Sequence, residues 1–134
     1  MTASEHEPYV WARLIDEAKG VIRPRTITKY VEAGSVGAAI LTDRGNIYTG
    51  VCMDTACSLG MCAERNAIAN MITNGESRIT KLVCLGSGHD LMLPCGACRE
   101  LMMQLDCGEM EILTDTARFD CVTLKDLTPD WWGG

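Results

Sequence analysis

Apolar residues recur at helical spacing in three stretches of the chain, and this spacing predicts three helices. They cover about 8–21, with Pro8 in the first turn, 63–72 and 95–105. Five short apolar runs predict strands at 36–41, 47–51, 81–86, 111–114 and 119–122. A turn joins the first two strands into a hairpin. Thr123 and Asp126 resemble a capping box that opens a last short helical turn.

The element order α-β-β-α-β-α-β-β contains no internal repeat and no linker. A chain of 134 residues has the length of one domain that can bury a core. Helices alternating with strands in this way predict an α/β protein, a three-layer α/β/α sandwich. We expect residues 1–7 to form a flexible tail and residues 8–134 to form the single domain.

The composition is that of an ordinary globular protein, with 47% hydrophobic and 22% charged residues. A net charge of −6 weighs against nucleic-acid binding, which needs a basic face, and therefore against a deaminase that edits DNA or RNA. The N-terminal residues lack the pattern of a signal peptide, and no stretch approaches the ~20 apolar residues of a membrane helix. We therefore expect a cytoplasmic protein that binds neither nucleic acid nor membranes.

The chain contains eight cysteines. Without a secretory signal, metal binding or free buried thiols are favoured over disulfides. Cys84 lies inside an apolar run, and it is predicted to be a small core hydrophobe, as are Cys107 and Cys121. Cys52 and Cys57 lie just upstream of the first motif described next, and this position leaves a role in the site open.

Two short motifs carry the chemistry: Cys-Ala-Glu at 62–64 and Pro-Cys-Gly-Ala-Cys at 94–98. Three thiols can ligate a zinc ion and leave its fourth position for water, while Glu64 can carry the proton of that water. Both motifs open predicted helices, where free backbone N–H groups and the helix dipole stabilise thiolates. The combination predicts a hydrolytic deaminase. We expect one zinc ion per chain, bound by Cys62, Cys95 and Cys98.

Two features of this site leave alternatives open. Zinc with three thiolates carries a net charge of −1, and a hydrogen bond from Arg65 or Arg99 to a ligand sulfur would offset it. The alternative is that both arginines are solvated on helix surfaces. A closed structural site would need a fourth ligand, and His89 is the candidate. In that case the chain would be a non-catalytic, zinc-stabilised binding module.

The segments 62–68 and 94–100 resemble the two zinc motifs of small cytidine deaminases, and 36–39 with 47–50 resembles the first hairpin of that family. The resemblance extends over about 36–129. It implies the cytidine-deaminase fold, with a mixed five-stranded sheet, and a homotetramer whose sites are completed by neighbouring subunits. It also implies ammonia release from C4 of a cytosine ring in a small nucleoside-type substrate. The implied roles are zinc ligation by the three cysteines, proton transfer by Glu64 and thiolate contact by Arg65.

Departures from the family pattern concern the substrate. The family holds the ribose with an Asn-x-Glu pair, and Cys52 and Asp54 stand at those positions. Gly34 and Ser35 stand where an aromatic residue is expected, and Glu100 replaces a glutamine. The blasticidin-S deaminase branch also lacks the full pair, and its C-terminus is more similar to residues 130–134.

We therefore expect the substrate to be cytidine, deoxycytidine or a blasticidin-S-like analogue. Its predicted contacts are Cys52, Asp54 and Ala63. Trp131 and Trp132 fit either a stacking wall over the site or a core or interface role.

Overall fold

A computed structural model of the chain describes residues 3–106 and 108–134, so Met1, Thr2 and the predicted core thiol of Cys107 lie outside the described residues. The helices are α1 (Ala3–Val21), α2 (Ala63–Thr73), α3 (Gly96–Asp106) and α4 (Leu124–Leu127). The strands are β1 (Arg25–Thr28), β2 (Val31–Thr42), β3 (Ile47–Thr55), β4 (Ile79–Gly86), β5 (Glu111–Leu113) and β6 (Cys121–Thr123). None of the helices in the described part of the chain has the length and apolar character needed to cross a bilayer.

Strand β2 is the centre of the sheet. One of its sides pairs antiparallel with β3. Its other side pairs first with β1 and then, after a register irregularity between Ala33 and Gly37, with β4. Strand β4 continues the sheet through a parallel pair with β5, and β5 pairs antiparallel with β6. The sheet is therefore mixed, as expected.

Helices cover both faces of this sheet and produce the three predicted layers. Side chains of β2 and β4 alternate between two core clusters. Ala38, Ile40, Leu82 and Cys84 pack on the side of α2 and α3, whereas Ala39, Val83 and Leu85 pack against α1. Because both faces are buried, these strands are continuously apolar in sequence.

The largest differences from the predicted elements lie in three places. The first helix begins at Ala3 rather than at Pro8, since the polar residues before Pro8 carry no periodic apolar signal. Strand β1 was not predicted, because three of its four residues are exposed and no burial pattern marks it; the sheet has six strands rather than five. Strand β2 begins at Val31 rather than at 36. The capping box of Thr123 and Asp126 is confirmed, and the division into a tail at 1–7 and a domain at 8–134 stays a prediction.

Helix α2 packs directly on the backbone of the edge strand β3. A Cβ atom at Gly50 would lie 2.3 Å from the backbone nitrogen of Ala67 and 2.7 Å from the carbonyl oxygen of Ala63. The Asn66 Nδ2 atom donates a 2.6 Å hydrogen bond to the carbonyl of Val51. The close approach at Gly50 and the hydrogen bond from Asn66 fix the distance and the angle of α2 relative to the sheet. The first turn of this helix carries Ala63 and Glu64.

We predict that Gly50→Ala lowers the free energy of unfolding by about 1–3 kcal/mol, because the added methyl group must push α2 off the sheet. Urea unfolding followed by circular dichroism measures this change. The matched control is Gly20→Ala in α1, where nothing lies within 4 Å of the added carbon. The control is expected to raise stability by ~0.5–1 kcal/mol, the usual gain in a helix. Equal stability of the two variants would show that α2 does not need this close approach.

Candidate metal centre and adjoining pocket

Three thiols from two helix starts converge on one point. Cys62 is the N-cap residue of α2, and its carbonyl accepts the backbone N–H of Asn66 at 3.2 Å. Cys95 immediately precedes α3, and its carbonyl accepts the N–H of Arg99 at 2.9 Å. The Cys98 thiol lies on the first turn of α3. The Sγ–Sγ distance is 3.4 Å between Cys62 and Cys95 and 3.5 Å between Cys95 and Cys98.

This donor set fits a zinc ion. Tetrahedral zinc with Zn–S bonds of 2.3 Å holds its sulfur ligands about 3.8 Å apart, close to the spacing of the three thiols. Within residues 3–106 and 108–134, these cysteines are the only group of three or more potential ligand residues that lie within reach of one cation. His89 is exposed in a turn and stands outside this group, so a closed site with His89 as fourth ligand gains no support.

One guanidinium group lies against the thiols. The Arg65 Nη2 atom donates to Cys62 Sγ at 3.7 Å. This contact, with a further one to Cys98, raises the pKa of Arg65 despite partial burial. The side chain of Arg99 makes no hydrogen bond to a thiol in the described part of the chain. Of the two candidate arginines, Arg65 is therefore the one placed to offset the negative charge of three thiolates.

The start of α3 favours the thiolate form of Cys95. Burial by itself would raise the pKa of Cys95, but the backbone N–H groups of Cys98 and Ala97, together with the neighbouring thiols, lower it below its usual value. Burial, followed by the charge of Glu64, raises the pKa of Cys98.

The thiols open onto a pocket of about 400 Å³. Glu64, 4% exposed, lines this pocket beside Cys62, and Ala63, 1% exposed, also lines it. The thiol of Cys84 lines the same pocket from β4, and its pKa is raised by burial and then by the charge of Glu64. Cys84 is a core residue, as predicted, but its place beside Glu64 could not be seen from its sequence position.

Two loops fold back to form the pocket rim. Met53 and Met61 exchange two backbone hydrogen bonds of 2.9 and 3.0 Å, which pin the loop before α2 onto β3. The N–H of Met92 donates to the carbonyl of Cys84 at 2.8 Å and holds the loop before α3 against β4. The side chains that these loops bring to the rim are largely apolar, and those of Met53, Met92 and Leu93 are partly exposed.

Ser35, Cys52 and Asp54 form a polar part of the pocket wall. Cys52 is buried and Asp54 is exposed, and both line the pocket, while their contact with a substrate stays a prediction. Cys52 Sγ lies 3.3 Å from the Ser35 hydroxyl and 3.7 Å from Asp54 Oδ2. Ser35 was missed as a site residue, because in the sequence it appeared only as the replacement of an aromatic side chain.

Glu100 and the two C-terminal tryptophans belong to a separate contact. Glu100 accepts hydrogen bonds from the indole N–H of Trp131 at 3.1 Å and of Trp132 at 2.9 Å. None of the three side chains lines the pocket of its own chain. Trp131 packs on the core cluster that includes α3, whereas Trp132 is 76% exposed. The stacking wall considered for these tryptophans is not formed within one chain.

Comparison with known proteins agrees with a zinc site at these thiols. Residues 18–114 match the family model of the cytidine and deoxycytidylate deaminase zinc-binding region. The cytidine deaminase of Mycobacterium tuberculosis is 33% identical over 100 residues, which cover 74% of this chain and 73% of the relative. That of Sporosarcina psychrophila is 31% identical over 97 residues, covering 70% and 71%.

Solved structures agree with these relatives. The crystal structure of the Mycobacterium tuberculosis cytidine deaminase has a TM-score of 0.77 at 26% identity and covers 92% of this chain and 97% of that one. The cytidine deaminase of Burkholderia pseudomallei has a TM-score of 0.72 at 27% identity, with coverage of 97% and 98%. These relatives give no support to a closer link with blasticidin-S deaminases. The chain belongs to the zinc-dependent cytidine and deoxycytidylate deaminase family, hydrolases that act on C–N bonds of cyclic amidines.

Proposed function

We propose that the protein hydrolytically deaminates a cytosine nucleoside or a nucleoside analogue and releases ammonia. The observation that carries this proposal is a cluster of three thiols, two of which line the same pocket as one buried carboxylate, Glu64. The named relatives are cytidine deaminases, which supports the same chemistry. Neither a blasticidin-S-like substrate nor a non-catalytic zinc module gains support from them.

In this proposal Cys62, Cys95 and Cys98 bind one zinc ion per chain. When bound, zinc supplies a Lewis acid that makes water nucleophilic at neutral pH. The Arg65 guanidinium donates to a ligand sulfur and withdraws negative charge from the centre, which keeps that Lewis acidity high.

Glu64 is the proposed proton carrier. Hydrolytic deamination removes a proton from water and delivers protons to the ring nitrogen and to the leaving amine. A single carboxylate next to all three positions can perform the transfers in turn. Its burial and its place in the pocket lining beside Cys62 support Glu64 in this role. The small side chain of Ala63 beside it leaves room for a planar ring.

The sugar-like part of the substrate is proposed to lie against Cys52 and Asp54. Asp54 keeps a carboxylate on an arm one methylene shorter than glutamate, and the Cys52 thiol is a weak partner where an amide is usual. A sugar hydroxyl is therefore held mainly by Asp54. We infer weak turnover of unmodified cytidine and better turnover of a cytosine compound with a different sugar-like part.

The homotetramer and the cytoplasmic location stay predictions. One subunit leaves several apolar side chains uncovered near the pocket, among them Leu59 at 82% and Leu93 at 49% exposure. Ile72 on α2 is 49% exposed as well. A neighbouring subunit that covers these side chains would account for their exposure.

We expect Cys62→Ser, Cys95→Ser and Cys98→Ser each to lose bound zinc and thermal stability together, because the binding energy of the metal is part of the folding energy. Metal analysis of the purified variants and their melting temperatures test this. Cys121→Ser is the matched control, since this thiol bonds Glu111 rather than the cluster. Full zinc occupancy in Cys62→Ser would refute the ligand assignment.

We expect Glu64→Gln to keep zinc and fold but to lose kcat by roughly 10²–10⁴-fold, because the amide cannot carry a proton. Glu100→Gln is the control. It changes a carboxylate held by the C-terminal indoles, so it should alter stability more than turnover. Ammonia release measured on both variants decides whether Glu64 or Glu100 carries the proton. Activity retained in Glu64→Gln and lost in Glu100→Gln would reverse the assignment.

We expect Asp54→Ala to raise KM about tenfold while changing kcat little, since it removes a hydrogen bond present in ground and transition states alike. Steady-state kinetics should cover cytidine, deoxycytidine and sugar-modified cytosine nucleosides. Asp16→Ala, an exposed change on α1, is the control. If cytidine is the best substrate of the panel and Asp54→Ala is harmless, the proposed sugar contact is wrong.

A further inference from the structure

Glu64 is a buried carboxylate that no cation of its own chain neutralises. Its side chain is 4% exposed and lines the pocket from the first turn of α2. Within residues 3–106 and 108–134 it forms no ion pair. The guanidinium of the next residue, Arg65, donates to the Cys62 sulfur instead. A buried carboxylate is costly unless a hydrogen-bond donor satisfies it, so this side chain needs a donor from another element of the fold.

Strand β4 provides such a donor. Cys84 is 2% exposed and lies on the face of β4 that packs against α2 and α3, in the same core cluster as Ala63 and Cys98. It lines the same pocket as Glu64. The Cys84 thiol donates a hydrogen bond to the Glu64 carboxylate. Burial raises the pKa of this thiol, and the charge of Glu64 and the hydrogen bond raise it further, so the sulfur keeps its proton.

The backbone of β4 holds Cys84 in place on both sides. In the β2–β4 ladder the residue is paired with Ala38, and its carbonyl accepts the N–H of Met92 at 2.8 Å. A short side chain packed in a core keeps one rotamer. The longer side chain of Glu64 has more torsional freedom to lose when it is ordered. A fixed donor on β4 therefore limits the positions that a flexible carboxylate on α2 can occupy.

We propose that Cys84 is a positioning residue for the deamination: its thiol holds one oxygen of the Glu64 carboxylate and leaves the other directed into the pocket to carry protons. The inference rests on the proposed function, in which Glu64 is the proton carrier. The thiol itself neither transfers a proton nor forms a covalent bond. A residue that only filled the core would need the size of cysteine but not its hydrogen bond.

Two substitutions separate the hydrogen bond from the packing. Cys84→Ala removes the donor, and we expect it to keep zinc and to lower kcat roughly tenfold with little change in KM, because a misplaced proton carrier slows the transfer. Cys84→Ser restores a donor of similar size and should recover most of the lost kcat. The matched control is Cys121→Ala, since this thiol also donates to a carboxylate, that of Glu111 at 3.3 Å, but lies outside the pocket. Its kcat should equal that of the unmodified protein.

A double-mutant cycle tests whether the effect passes through Glu64. In the Glu64→Gln protein the carboxylate is already absent, so adding Cys84→Ala should leave the residual kcat unchanged. A general loosening of the core would lower kcat in both backgrounds. Zinc content and melting temperature of all variants are measured alongside the kinetics.

Infrared spectroscopy gives a readout that does not depend on turnover. A thiol that donates to a carboxylate absorbs at a lower S–H stretching frequency than a thiol without an acceptor. The difference between the zinc-loaded unmodified protein and Cys84→Ala identifies the band of Cys84. We expect this band to shift to higher frequency in Glu64→Gln, because a neutral amide oxygen is a weaker acceptor than a carboxylate.

The outcomes distinguish this inference from the proposed function. If the unmodified protein deaminates a cytosine nucleoside but Cys84→Ala matches its kcat, the inference is wrong and the function stands. The same holds if Cys84→Ser loses as much kcat as Cys84→Ala, or if the S–H band of Cys84 is the same with Glu64 and with glutamine. If the zinc-loaded protein deaminates no cytosine nucleoside, the proposed function fails and this inference fails with it.

Discussion

The close approach of α2 to the backbone of β3 at Gly50 is the constraint on which the candidate site depends. It lets the helix start beneath the pocket, with Cys62 at its N-cap and Glu64 in its first turn. The hydrogen bond from Asn66 to the carbonyl of β3 holds the helix at that height. Strands β4 and β5 are parallel, so the chain between them must cross over one face of the sheet. Helix α3 makes this crossover on the face that α2 also covers, and its N-terminus reaches the same point. Two helix N-termini thus meet where the thiols lie.

This meeting concentrates negative charge in a small volume, and the structure balances it locally. Three thiols and one carboxylate lie at the pocket, while Arg65 lies against Cys62 and backbone N–H groups point at Cys95. A divalent cation adds the remaining positive charge. Cys84, kept as a thiol by burial and by the nearby carboxylate, adds no charge to this balance.

The pocket wall around Asp54 is held in place by strands, whereas the thiols are held by helix starts. Near the metal, each side chain is held by a helix start, but around Asp54 the wall is formed by strand residues at an irregular point of the ladder. Short side chains and one glycine with positive φ replace bulk at that point. Changes there alter the space offered to the sugar without disturbing the thiols, so the two halves of the site can vary independently. The zinc motifs match the family pattern closely, whereas Cys52 and Asp54 on the strand side depart from it.

The sequence alone predicted the layer order from local periodicity and the Cys95–Cys98 pair from its spacing within one helix turn. It joined this motif to Cys62 and Glu64 through the ligand requirement of zinc and through the resemblance to a family. Through alignment to a family hairpin it also assigned Cys52 and Asp54 to the site, and both line the pocket. Only the tertiary structure decided what distant segments do to one another. Strand β1 exists because β2 offers it a partner, Ser35 meets Cys52 across 17 residues, and Glu100 holds indoles 31 and 32 residues away. Such contacts leave no periodic signal in the chain, since they depend on the sheet bringing separate strands and helices together.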